Sequence, residues 1–447
     1  MKRVLVISYY WPPSGGSGVQ RWVKFAKYLP SEGWQPVIYT PSNPEYTAVD
    51  HSLEADIPAQ AEIIRRPILE PYGIYRALMG KGASVDIKSL TAGAREGEVT
   101  EISSGKKSFK QRLSLWIRGN LFVPDPRVTW LRPSVRFLCK YLKEHPVDVI
   151  VTTGPPQSMH LIGEKVHAKT GIPWIADFRD PWTQMYYLKH LPLTRCSWNK
   201  LYRQESRVLG SCTAILTVTP LMKAEFEKAS GRPVELITNG FDTDDYKAPA
   251  AVPGEFCLVH TGLFSADGNP LVLWKVLSEL SASMPELREK LRICLAGRTD
   301  AGIKEAIAAA GLEACTTDMG YLSHADAVAL QRSAALLLLP LRQDPQYKPI
   351  LPGKLFEYLA SGVQILGIGQ TDGAMAQVLS ESGAGVTADW DDAATVRNTI
   401  LAAWERFCSG TPFPPGKGVE AYSRKALTAR LAALLEKVTR NGQEESA

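Results

Sequence analysis

Short runs of apolar residues recur along the chain, each followed by a stretch with helical spacing, and no other feature restricts the fold as strongly. In the first half the runs cover residues 3–8, 36–40, 147–154, 174–180, 214–220 and 234–240. In the second half they cover 256–262, 292–297, 335–341, 363–369 and 385–389. Apolar residues follow one another there instead of alternating with polar ones, which is what strands buried on both faces need. Strands separated by helices pair in parallel, so the pattern predicts an α/β protein with doubly wound sheets. Many runs end in Gly, Pro or Asp. Such residues turn the chain at the carboxyl end of a strand, where ligands of these sheets bind.

A chain of 447 residues exceeds one ordinary α/β core, so two domains are expected. The break falls at 241–255, FDTDDYKAPAAVPGE, which is acidic and then rich in Ala and Pro. The reading is two Rossmann-like domains, 1–245 and 246–415, facing across a cleft. A last segment, 416–447, follows; its residues 422–438 place apolar side chains at helical spacing and pack as a helix, back on the first domain. Residues 80–107, rich in Gly, Ser, Lys and Glu, read as a mobile insertion. Residues 108–122, SFKQRLSLWIRGNLF, interleave aromatic and leucine side chains with Lys110, Arg112 and Arg118. A basic amphipathic helix of that kind rests in a membrane interface, although a core helix with a solvated basic edge has the same periodicity.

Charge excludes little. The net value of +5 gives no general case for nucleic acid. Cysteines 139, 196, 212, 257, 294, 315 and 408 form no CxxC pair and read as free thiols of a reducing compartment, not as metal ligands. The opening MKRVLVISYYWPPSGG has too short an apolar run for a signal peptide, and no stretch approaches ~20 apolar residues, the length that spans a bilayer. The expected location is the cytoplasm, peripherally at the inner face of the cytoplasmic membrane.

Two segments offer chemistry. The first strand runs into Pro12-Pro13-Ser14-Gly15-Gly16-Ser17-Gly18, and a glycine loop between strand and helix lets backbone approach an anion. It is neither GxGxxG nor a P-loop, and a ligand-free tight turn explains it equally well. The second segment is Pro352-Gly353-Lys354-Leu355-Phe356-Glu357-Tyr358-Leu359-Ala360-Ser361-Gly362. A Pro-Gly turn opens a helix with Lys354 in its first turn, where free amides point outward. A cation is unfavourable there unless a bound diphosphate lies beside it. Glu357, one turn on, would reach ribose hydroxyls; an ordinary surface Lys/Glu pair is the plain alternative. Asp242–Asp244 (DTD) invites a metal, but it sits in the linker and no metal site is assigned.

PGKLFEYLASGVQIL resembles the donor-binding segment of family-four glycosyltransferases. LLLLPL before it, HTG at 260–262, ITNGFD, the opening strand-loop-helix, TTGPPQSMHLIG and PWIADFRDPW resemble the family's other segments in order and spacing. The resemblance implies a GT-B fold and a hexosyl-type transferase of surface-polysaccharide or lipid-linked glycan synthesis. It implies a nucleotide-diphosphate sugar as donor, bound mainly by the second domain, a glycan or lipid-linked acceptor bound mainly by the first, retention of configuration, and neither cofactor nor metal. Residue by residue, Lys354 would hold the diphosphate with Leu355 and Gly262 beside it, and Glu357 the ribose. Gly15 and Gly16 would approach the donor across the cleft. His160 would contact the transferred sugar, unless it merely caps its helix. Asp177 and Asp180 would orient hydroxyls, with a structural Asp180–Arg179 ion pair as the alternative.

Two positions depart from the family. The usual glutamate eight residues before Glu357 is Pro349, leaving Asp344 and Gln346 as weak substitutes. No basic residue follows the 256–262 strand, so Arg298 is taken as the second cation. Rival readings are a degenerate scaffold or glycan-binding protein, for which Pro349 argues, and a sugar-nucleotide epimerase, which needs more acid/base groups than His160 supplies.

Overall fold

The computed structural model describes residues 1–15, 17–46, 49–70, 109–185, 188, 191–246 and 254–444. Two compact units emerge, Met1–Thr238 with Lys425–Ala447, and Asn239–Arg424. The expected insertion at 80–107, Gly16 and residues 247–253 of the linker lie outside the described residues.

The first unit holds seven parallel strands: β1 (Lys2–Ile7), β2 (Trp34–Pro41), β3 (Glu62–Arg66), β4 (Val149–Gly154), β5 (Trp174–Phe178), β6 (Ala214–Thr217) and β7 (Val234–Leu236). Their order is β3-β2-β1-β4-β5-β6-β7, so the winding reverses between β1 and β4. Val4 faces Pro36 on one side and Val149 on the other. The pleat divides β1 between two cores. Val4 and Val6 pack with Trp22 and Phe25 of the Ser17–Tyr28 helix, while Leu5 and Ile7 pack with Leu138, Met159 and Ile162. Leu427, Leu431, Leu435 and Val438 of the last helix, Arg424–Glu444, complete the former core. Arg430 also donates to the Leu236 carbonyl (2.6 Å).

The second unit repeats the plan with β8 (Phe256–Thr261), β9 (Leu291–Ala296), β10 (Thr316–Gly320), β11 (Leu336–Pro340), β12 (Ile365–Ile368) and β13 (Gly385–Ala388), in the order β10-β9-β8-β11-β12-β13. Here the reversal lies between β8 and β11. In each unit, the loops following the two strands at the reversal are where a doubly wound sheet receives a ligand.

Differences from the expected strands have physical causes. β3 (EIIRR) and β10 (TTDMG) are edge strands with few buried side chains, so no apolar run announces them. The run at 214–220 ends early because Thr219 accepts from the Met222 amide (3.2 Å) and starts the Pro220–Ser230 helix. Among the described residues no helix is long and apolar enough to cross a membrane.

Candidate functional site

In the second unit the site grows from the ends of β8 and β11. The Gly353–Ser361 helix starts from an extended Pro352, with no side-chain cap and no acidic residue in its first turn. Leu355, Phe356, Tyr358 and Leu359 are buried and seat it. Lys354 is half-buried, with Nζ 3.1 Å from the Leu263 carbonyl and 3.2 Å from His260 Nε2. His260 is 1% exposed, and its Nδ1 lies 3.0 Å from the Leu338 carbonyl. Nε2 also lies 3.3 Å from the Leu263 carbonyl. An ammonium only donates, and Nδ1 makes the shorter carbonyl contact, so Nδ1 carries the proton and Nε2 presents its lone pair to Lys354 Nζ. Burial, reinforced by the Lys354 cation, lowers the His260 pKa to about 3, which keeps the lone pair available.

Gly262 makes room for this arrangement. Its φ is +94°, and a Cβ there would stand 2.7 Å from Lys354 Cε. Gly262→Ala is therefore expected to cost about 1–2 kcal/mol in backbone strain and to push Lys354 aside. A drop in the thermal midpoint would bear this out; an unchanged midpoint would not.

Glu357 is held rather than loose. Gln331 Nε2 donates to its Oε2 (3.2 Å) and to Thr261 Oγ1 (3.1 Å), and the Tyr246 hydroxyl donates to its backbone carbonyl (3.1 Å). Tyr358 Oη accepts from the Thr261 amide (2.9 Å), and burial pushes its pKa up to about 12. The Glu357 side chain thus keeps Oε1 for another donor. Leu355 sits differently from a ligand-binding residue: its side chain is in the core and its amide donates to Pro352 (3.0 Å). Arg298 is exposed after β9. Arg342, directly after β11, is 8% exposed, contacts Asp267 (3.2 Å), and leaves Nη2 without a partner. His260, Gln331 and Arg342 are the polar groups that sequence reasoning passed over. Pro349 lies half-buried in the loop after β11, and Asp344 is exposed there.

In the first unit, Asp177 at the end of β5 is fully buried. It accepts from Arg21 Nη2 (3.0 Å) and Nε (3.2 Å), Trp22 Nε1 (2.8 Å) and Thr153 Oγ1 (3.0 Å). Its carboxylate fastens the Ser17–Tyr28 helix, and hence the end of the glycine loop, to β4 and β5. Arg179 donates to the carbonyls of Gly18, Gly154 (3.3 Å) and Pro155 (2.6 Å), tying the same loop to the end of β4. Asp180 is half-buried beside it and Gly15 is buried.

His160, in the first turn of the Ser158–Thr170 helix, is wholly buried against Phe178. Thr152 Oγ1 accepts from Trp174 Nε1 (2.8 Å) and lies 2.8 Å from His160 Nδ1, so its own proton goes to Nδ1. The ring proton then sits on Nε2, which has no partner. Gln157 Oε1 is likewise unsatisfied, and a Cβ on Gly154 would stand 2.6 Å from His160 Nε2 and 2.5 Å from Gln157 Oε1. A donor and an acceptor therefore await a partner at the end of β4.

Burial also lowers the His160 pKa to about 3. Both histidines are neutral in the fold and titrate near ~6.5 when unfolded, so the unfolded chain binds more protons between those values. Their contribution is full above ~pH 6.5 and is lost as the pH falls toward 3, with a slope of up to ~1.4 kcal/mol per pH unit for each. Thermal midpoints recorded from pH 7.5 to pH 4.5 should fall accordingly, and His160→Gln should flatten the dependence. An equal slope in that variant would refute the assignment.

Among the described residues no group of three or more His, Cys, Asp or Glu is arranged for a metal. Asp242 of the DTD sequence accepts from the Asp244 amide (3.1 Å), and Asp245 pairs with His324 (3.1 Å).

This fold is the GT-B fold of two Rossmann-like units. Sucrose-phosphate synthase from Thermosynechococcus elongatus has TM-score 0.60 and 14% identity over 99% of this chain and all of that one. A trehalose 6-phosphate synthase from Burkholderia multivorans gives 0.58 and 11% over 100% and 99%. HepE of Anabaena, solved in complex with UDP-glucose, gives 0.51 and 12% over 100% and 99%. Residues 72–245 match the family model of Glycosyltransferase Family 4. No curated protein matches the sequence.

Proposed function

We propose that the protein is a retaining, metal-independent glycosyltransferase, transferring a hexosyl group from a nucleotide-diphosphate sugar to a glycan or lipid-linked acceptor of surface-polysaccharide synthesis. The observation that carries this reading is Lys354, which stands in the uncapped first turn of its helix while His260 and Leu263 hold its Nζ beside the missing Cβ of Gly262. Such a cation beside outward-pointing amides matches a diphosphate. As the bond from the anomeric carbon to the diphosphate oxygen breaks, the leaving group gains negative charge, and Lys354 with the helix amides neutralises it. Glu357 Oε1 takes a ribose hydroxyl. His160 Nε2–H and Gln157 Oε1 hold a sugar hydroxyl, and Asp177 acts by fixing the loop rather than by contact.

The protein works at a membrane surface. On the Phe109–Leu121 helix, Leu113, Trp116 and Leu121 are 47%, 42% and 60% exposed, close in sequence to Arg112 and Arg118. Apolar and cationic side chains so placed suit an interface.

A thermal-shift panel of UDP-, GDP-, ADP- and TDP-sugars, run in EDTA, tests the donor reading. Saturable stabilisation by one base class is expected. Silence across the panel, with folded protein, would sink it.

A further inference from the structure

The first unit has a cavity of about 810 Å³ that shares no residue with the groups described above. It opens between the Ser158–Thr170 and Arg195–Ser211 helices and is bounded by the segment after the Phe109–Leu121 helix. Val123, Val128, Leu131 and Leu161 form an apolar wall, and Asn199 and Gln204 also line it. Around it stand the exposed cations Lys165, Arg195, Lys200 and Arg203. Arg207 also lines it but pairs with Glu164. None of the other four has an anionic partner among the described residues. Lys200, Arg203 and Arg207 follow one another at three and four residues, a like-charge spacing that weakens a helix. Glu164 already offsets Arg207, so an anion bound here would relieve chiefly the Lys200–Arg203 repulsion.

Apolar walls beneath unneutralised cations ask for one molecule with both a hydrocarbon part and an anionic head. We propose that this cavity binds an anionic lipid, with the chain against Leu131 and Leu161 and the phosphate among Lys165, Arg195, Lys200 and Arg203. A soluble polyanion would satisfy the charges but not the apolar walls. The surroundings agree with a lipid. Tyr202, on the same helix, is 54% exposed and stacks on Trp198 (5.8 Å). The helix bearing the exposed Leu113, Trp116 and Leu121 is joined to this region through Asn120, which donates to the Pro192 carbonyl (2.9 Å) and accepts from the Thr194 amide (2.8 Å) and Ser197 Oγ (2.7 Å). The assignment rests on the membrane-surface part of the proposed function and gives it a binding site.

The test uses the full chain and the triple variant Arg195→Gln/Lys200→Gln/Arg203→Gln, whose positions are all exposed. Each juxtamembrane cation strengthens binding to anionic lipid about fivefold, so the triple variant should bind phosphatidylglycerol-containing vesicles roughly 100-fold more weakly. Phosphatidylcholine vesicles should hold neither protein. Monomeric dioctanoyl phosphatidic acid should bind the parent chain at one site and the variant weakly, whereas glycerol phosphate should bind neither. Undiminished lipid binding by the variant, or equal affinity of the parent chain for glycerol phosphate or polyphosphate, would overturn the proposal. Should phosphatidic acid bind but no vesicle do so, the membrane-surface reading falls and the cavity assignment stands. Should anionic vesicles bind both proteins alike and phosphatidic acid bind neither, the cavity assignment falls and the membrane reading stands. A thermal midpoint of the variant at or above that of the parent confirms that charge and not unfolding is being read.

Discussion

Lys354→Ala should weaken binding of the donor nucleotide about 100-fold, equivalent to ~2.7 kcal/mol, with little effect on the ligand-free thermal midpoint. The size follows from losing charge-assisted hydrogen bonds to a diphosphate, each worth ~1.5–3 kcal/mol. The small stability effect follows from what Lys354 touches. It donates to the Leu263 carbonyl and to His260 Nε2, and removing a cation from a helix's first turn relieves an unfavourable dipole interaction. Lys354→Arg should not restore binding, because the planar guanidinium is bulkier where the chain passes Gly262. Calorimetric titration of both variants with the selected nucleoside diphosphate checks this. Binding within threefold of the parent chain would remove Lys354 from the site.

Arg21→Leu should produce the largest loss of stability, about 3–5 kcal/mol in the first unit. Arg21 and Asp177 are 1% and 0% exposed, and removing the cation leaves a buried carboxylate with only Trp22 and Thr153 as donors. Asp177→Leu, in turn, strands the guanidinium. The double variant should lose less than the sum of the two, since neither charge then remains unpaired. Scanning calorimetry resolves the transition, and a loss under ~1 kcal/mol for either single variant would contradict the clamp.

Much of the fold was written in local apolarity. β11, with LLLL buried on both faces, reads as a strand from its residues alone, and so do β1 and β4. β3 and β10 do not, because an edge strand need not be apolar throughout. In the site, Lys354 was legible as a cation in a place helices avoid. His260 was not. Its role depends on the Leu338 carbonyl, which fixes its tautomer from a strand 78 positions away. Asp177 shows the opposite case. A carboxylate at the end of a strand reads as available to substrate, yet Arg21 and Trp22, more than 150 positions earlier, take both of its oxygens. The basic cavity was hidden for the same reason, since its cations come from two helices and most of its wall from the segment before them.

The central claim is that Lys354 stabilises the leaving diphosphate of a nucleotide-sugar donor. Its most direct test is nucleoside diphosphate release from the stabilising nucleotide sugar, measured in EDTA with a lipid-linked glycan acceptor, for the parent chain and for Lys354→Ala at saturating donor. Acceptor-dependent release that falls at least ~100-fold in the variant is the predicted result. Equal release by both proteins would contradict it.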